Sequence, residues 1–247
     1  MIVCGLDFET TGIQTTASVT EVGLVLWDTS IAAPIRVTGY LVNPGDDAIW
    51  EPGVKEINKI TPSLCAEYGT ESSRALKQVL LWIQQADIVC AHNGLAFDRP
   101  VLKRWAERYG LDWFPDKLWI DTMQDLALPY RSSPRLSYMA ADSGFLNPFP
   151  HRAVFDVMTM LKLLSAHPIE QVIAYAKTPW VGARITLPFE KNQWAKDNNY
   201  FWYKNKDNDH IKFWMKKVKE DRFADEEALV QAAGFTLTKI EVPEGVY

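Results

Sequence analysis

Three early segments, MIVCGLDFE (1–9), VTEVGLVLWD (19–28) and IRVTGYLVN (35–43), are largely apolar with only a few polar positions. All three are rich in β-branched and aromatic residues and separated by turn-forming stretches, a pattern that predicts consecutive strands paired as an antiparallel meander. The pattern then changes. ESSRALKQVLLWIQQA (71–86) repeats its apolar residues at helical spacing, DIVCAH (87–92) is a short apolar strand, and NGLAFDRPVLKRWAERYG (93–110) runs from a loop into a helix ending at Gly110. KLWIDTM (117–123) gives a fifth strand, and RLSYMAADSG (135–144) and HRAVFDVMTMLKLLSAH (151–167) give two further helices. Strands followed by helices after an opening meander predict an α/β domain, a mixed β-sheet flanked by helices. The chain shows no internal repeat.

One face of the first strand breaks the apolar pattern. Side chains at i and i+2 project to the same side of a strand, so Asp7 and Glu9 lie next to each other. Two readings are open: an edge strand whose acids face water, or a buried pair whose repulsion and lost hydration are relieved by a cation. Two more acids recur near predicted element ends, Asp98 where loop becomes helix and Asp156 on the late helix. Singly, an Asp at a helix start reads as an N-cap and an acid on an amphipathic helix as a solvated one. Together the four make an oxygen-only donor set, which suits Mg²⁺ or Mn²⁺.

The segments LDFETTG, HNGLAFDRPVL and HRAVFDV, in that order, resemble the three motifs of the DEDDh (DnaQ-like) 3′→5′ exonuclease superfamily over roughly residues 1–177. The resemblance implies a ribonuclease-H-like fold, two divalent ions, and hydrolysis that releases 5′-mononucleotides from the 3′ ends of single-stranded nucleic acid, DNA or RNA. It also implies roles: Asp7, Glu9 and Asp156 as metal ligands, Asp98 completing the second metal site partly through water, and His151 as general base. Thr10 and Thr11 would help hold the terminal 3′ nucleotide, partly through backbone groups. In many relatives a histidine stands where this chain has Asn58, a departure that touches no ligand.

The residues around these motifs can be read on their own chemistry. A histidine at the mouth of such a site is a suitable proton acceptor, because imidazole titrates near neutral pH. On one continuous helix His151 and Asp156, five residues apart, would point ~140° away from each other. The preceding NPFP places His151 in a loop at the helix start instead. His92, beside Asn93, reads as a loop-packing residue. Phe8, Phe97, Ile60 and Trp50 are candidate pocket walls, since apolar and aromatic faces hold bases without reading sequence, with core packing the default for Phe8 and Phe97, and Asn93 is placed with them on the substrate side. Asp121 reads as structural, at a strand end. Glu21, alternating with apolar neighbours, reads as facing solvent.

Beyond residue 177 the character shifts, and the expected division is a catalytic domain (1–177) and a small α+β module (178–247). Lysines interleave with Trp194, Tyr200, Phe201, Trp202, Tyr203, Phe213 and Trp214, two such runs meet at KNKDND as a hairpin, and a helix (225–234) and strand (235–242) follow. Both single-strand binding and core packing or docking explain this composition. A net charge of −5 argues against a protein that coats nucleic acid as a whole but leaves a metal-bridged site open. The three cysteines, Cys4, Cys65 and Cys90, lack metal-site spacing and read as reduced core thiols. With no apolar run of about 18 residues and no signal-like start, no membrane partner and a cytoplasmic location are expected. A non-catalytic or polymerase-associated module is the alternative. Proofreading would need a polymerase or another replication or repair protein on a partner chain.

Overall fold

A computed structural model describes residues 1–14, 16–111, 116–126, 133–205, 208, 210–243 and 246. The chain divides into two compact units, Met1–Ala176 and Lys177–Tyr247. In the first, strands β1 (Ile2–Thr10), β2 (Val19–Asp28) and β3 (Ala33–Asn43) form the expected antiparallel meander. Two short helices follow, α1 (Val54–Asn58) and α2 (Pro62–Tyr68), then a two-residue strand β4 (Thr70–Glu71) and helix α3 (Ser72–Gln84). Next come β5 (Ile88–Ala91), α4 (Asp98–Arg108), β6 (Trp119–Asp121), α5 (Leu136–Asp142), α6 (Ala153–Leu164) and α7 (Ile169–Lys177). The six strands make one mixed sheet in the order β4-β3-β2-β1-β5-β6, with β5 parallel to both β1 and β6.

Strand β1 is therefore interior, which removes the edge-strand reading of Asp7 and Glu9. Its even positions Cys4, Leu6 and Phe8 join a core with α3 and α4 residues such as Leu76, Val79, Leu102 and Trp105. Its odd positions face α6, because a Cβ on Gly5 would meet Val157 and Leu161 at 2.6–2.7 Å. Burial of both sheet faces explains why the strands lack clean polar alternation.

Two glycines set how closely α6 approaches the sheet. Gly23 pairs with Asp7 on one side and Gly39 on the other. A Cβ on Gly23 would lie 2.4 Å from the Ala153 carbonyl carbon, and one on Gly39 would lie 3.0 Å from Val154. Only bare backbone there lets the first turn of α6, and with it Asp156, lie beside the row that carries Asp7.

The second unit contains a four-stranded sheet, β10-β7-β9-β8, built from β7 (Trp180–Thr186), β8 (Phe201–Lys204), β9 (Lys212–Lys219) and β10 (Thr236–Ile240). Helices α8 (Asn192–Asp197) and α9 (Phe223–Ala232) accompany it. Val181, Ala183, Ile185, Tyr200 and Val230 are in its core. Strands β8 and β9 form the expected hairpin, while residues 206, 207 and 209 of its turn lie outside the described residues. All three cysteines are buried and free. Among the described residues no helix is long and apolar enough to cross a membrane.

Candidate active site

The parallel strands β1, β5 and β6 end on the same edge of the sheet, where open α/β sheets place their ligand crevices. A cavity of about 550 Å³ opens there, lined by Asp7, Glu9, Asp98 and Asp156 together with His151. Each acid arrives by a different route. Asp7 and Glu9 project from β1 toward α6. Pairing of β5 with β1 stops at Gly5, and Asp98, the first residue of α4, accepts the Phe8 N–H beyond it at 3.0 Å. Asp98 is 1% exposed and is thus no solvated cap. Asp156, in the first turn of α6, accepts from the His151 backbone N–H at 2.9 Å and from Asn147 Nδ2 at 2.6 Å.

His151 sits in the loop ahead of α6, exposed, with φ at 63°. Ligand atoms of Glu9, His151 and Asp156 all lie within 4.8 Å of one another. His92 also lines the cavity, but burial pushes its imidazole down to about 4, and Nδ1 is 2.9 Å from Thr122 Oγ1. It is therefore neutral at physiological pH, whereas His151 lies exposed at the cavity.

The carboxyls are strongly perturbed. Burial, and then the charges of Asp98, Glu9, Asp156 and Glu21, hold Asp7 well above the usual carboxylate range. Burial and the Asp156 charge raise Glu9 to about 8, an effect opposed by the nearby Asn58 amide. Burial raises Asp98 to about 8 against the pull of the Phe8 N–H bond, and Asp156 to about 6 against the His151 and Asn147 bonds. Among the described residues no Lys or Arg forms an ion pair with any of the four. Crowded oxygen donors without a protein cation fit hard divalent ions such as Mg²⁺ or Mn²⁺.

A consequence for stability follows from the direction of these shifts. Acids whose folded pKa is raised favour the fold at low pH, and that contribution is lost as pH climbs from the ordinary carboxylate range through about 8. A divalent ion must displace the retained protons, so its binding strengthens over the same window. Mg²⁺ is expected to raise the melting temperature more at pH 8.5 than at pH 5.5. A differential-scanning measurement giving an equal or smaller rise at the higher pH would contradict this.

Glu21 requires a correction. It is 4% exposed instead of solvent-facing, and it is the register partner of Glu9. Its carboxylate accepts from Arg152 Nε at 3.1 Å, from Arg152 Nη2 at 2.6 Å and from the Ala153 N–H at 3.0 Å. This bidentate pair ties the start of α6 to β2. Asp121 is structural as expected: its carboxylate accepts the N–H groups of Asn93, Leu95 and Met123, fixing the loop that leads to Asp98.

The substrate-side expectations divide. Phe8, Phe97 and Asn93 line the cavity. Thr10, Thr11 and Ile60 do not: they are 5%, 0% and 1% exposed. Thr10 Oγ1 donates to the Gly12 carbonyl, Thr11 Oγ1 accepts the Ser18 N–H, and Ile60 is enclosed, so these side chains serve the fold. Trp50 lines a separate pocket with Pro44 and Pro62. The opposite wall, from Arg135 to Tyr138 at the start of α5, went unread in the sequence, although RLSY carries a cation and an aromatic ring in adjacent turns. Among the described residues Arg135 is the one Lys or Arg that lines the cavity. In the sequence Asn58 stands out only as a departure. It is buried, its Oδ1 accepts the Ile60 N–H at 3.0 Å, and its Nδ2 has no hydrogen-bond partner of good geometry.

The family model RNase_T, described as exonuclease, matches residues 4–164. The chain belongs to the DEDDh exonuclease superfamily. Its fold is that of the E. coli exonuclease I–single-stranded DNA complex in its zinc-bound form, at a TM-score of 0.61 and 17% identity, covering 74% of this chain and 47% of that one. E. coli exonuclease I with a dA16 oligonucleotide aligns similarly, at a TM-score of 0.60 and 17% identity, over 74% and 47%. The nuclease domain of 3′hExo, a DEDDh family member bound to rAMP, aligns at a TM-score of 0.57 and 17% identity, over 67% and 90%. The chain thus spans about half the length of the exonuclease I chains it matches. No curated protein sequence matches it.

Proposed function

We propose that this DEDDh nuclease is a metal-dependent 3′→5′ exonuclease that removes 5′-mononucleotides from single-stranded ends, DNA being the favoured substrate. The observation that supports this most is the convergence of Asp7, Glu9, Asp98, Asp156 and His151 on one cavity from β1, α4, α6 and the loop before α6. Asp7, Glu9 and Asp156 would hold the ions, and Asp98 would complete the set from its fixed position against the Phe8 N–H. Two divalent ions would acidify the attacking water and offset charge on the leaving 3′ oxygen. His151 takes the proton of that water at an imidazole nitrogen. Phe97 borders the terminal nucleotide, and Arg135, which also lines the cavity, meets its phosphate. A non-catalytic module is disfavoured because all five positions are filled.

The test is to incubate the purified protein with end-labelled single-stranded DNA and RNA, with and without Mg²⁺ or Mn²⁺. A 5′-labelled strand is expected to shorten one nucleotide at a time, as a descending ladder, only with metal. Internal cuts, or release from the 5′ end, would overturn the assignment.

A further inference from the structure

The β8–β9 hairpin of the second unit carries a two-by-two block of side chains. Trp202 is directly opposite Trp214, and Lys204 directly opposite Lys212. Directly opposed residues share a face, and so do positions i and i+2, so all four side chains lie on one side of the ribbon. The tryptophan pair is built to be rigid. Trp214 packs against the core of its unit and donates its Nε1–H to Asn192 Oδ1 at 3.0 Å. Trp202 rests edge-on against it, ring centroids 5.5 Å apart at 63°, and is 46% exposed.

The lysine pair is the opposite kind of feature. Like charges directly across a ladder destabilise it. Both lysines are exposed, and among the described residues no carboxylate pairs with either. The two rows are separated by two strand positions, about 6.8 Å, a spacing comparable to the reach from a nucleobase to its own phosphate. An exposed aromatic face held rigid beside two lysines that pair with no described carboxylate has the make-up of a single-strand platform. A protein-docking patch gains nothing from two like charges set across a ladder, and a duplex keeps its base faces stacked inside.

We infer that this face of the hairpin binds single-stranded nucleic acid, with a base stacked on Trp202 and a phosphate between Lys204 and Lys212. The inference rests on the exonuclease reading and adds to it a substrate-binding surface outside the catalytic unit. The full chain, kept in EDTA so that no strand is hydrolysed, is titrated into a labelled oligothymidylate of about 16 nucleotides, the upper end of such footprints. Anisotropy is then read across a salt series. Trp202→Ala is expected to weaken binding about 5- to 160-fold. The double variant Lys204→Gln/Lys212→Gln should lower the slope of log affinity against log salt by about 0.7, the contribution of the one phosphate that is no longer neutralised. Its melting temperature should hold or rise, because the repulsive pair is gone.

Hydrolysis of the p-nitrophenyl ester of thymidine 5′-phosphate, which is too small to reach a second site, should be unchanged in both variants. If wild type hydrolyses this ester and the oligonucleotide while both variants bind like wild type, the hairpin inference falls and the exonuclease reading stands. A fall in affinity matched by a fall in melting temperature would also overturn it, as would equal binding of a duplex. If wild type neither binds nor degrades single strands, the exonuclease reading fails first.

Discussion

Asp7→Asn is expected to abolish nucleotide release, with a loss of roughly 10³-fold or more, the scale associated with removing preorganised electrostatic stabilisation. The substitution keeps the shape and removes a charge at the position where the field of the other acids is most concentrated. Asp98, Glu9, Asp156 and Glu21 all push the Asp7 carboxyl upward, after burial itself. Burial and the neighbouring acids therefore disfavour the charged carboxylate of Asp7 in the metal-free protein, and asparagine keeps its shape without that charge. The variant should fold normally, and in EDTA at pH 8 its melting temperature should equal or exceed wild type, since a buried repulsive charge has been removed. In Mg²⁺ the order should reverse, because the wild type gains an ion that the variant binds poorly. Rapid-quench release from an end-labelled strand measures the first effect and thermal melts the second. A variant that keeps more than a small fraction of wild-type turnover would remove Asp7 from the ligand set.

Much of this arrangement is legible in the sequence because its signals are local. The apolar, β-branched run of β1, interrupted by two acids at i and i+2, gives both the strand and the face the acids share, and α6 reads from its periodicity. What stays hidden depends on distant partners. Glu21 looks like any solvent-facing residue of a strand, yet its partners Arg152 and Ala153 lie more than 130 residues away. Gly23 and Gly39 read as neutral strand residues until α6 is laid across them. Helices α1 and α2 are too short for periodicity to show, although Thr61 does cap α2 ahead of Pro62 as sequence rules anticipate. Thr10, Thr11 and Ile60 are drawn toward the substrate in the sequence by their nearness to a motif. Closeness in sequence does not tell which way a side chain turns, and these three turn inward.

Replacing His151 is expected to cost roughly 10²–10⁴-fold in rate, the usual contribution of a positioned general base, while leaving the Mg²⁺ requirement nearly unchanged. Its backbone and its ring act separately. The backbone N–H anchors Asp156, and the residue occupies the left-handed region at φ 63°, so any replacement must accept that conformation. Asparagine accepts it better than alanine does, which makes His151→Asn the cleaner substitution: it removes the imidazole and preserves the loop. Asp156 then keeps its hydrogen bond, and the ions keep their carboxylates. A nitrogen of His151 lies within 4.8 Å of ligand oxygens of both Glu9 and Asp156, close enough to share an ion with them. If His151→Asn needs much more Mg²⁺ to reach its plateau, the imidazole is a ligand, and the proton must leave through another group at the cavity mouth.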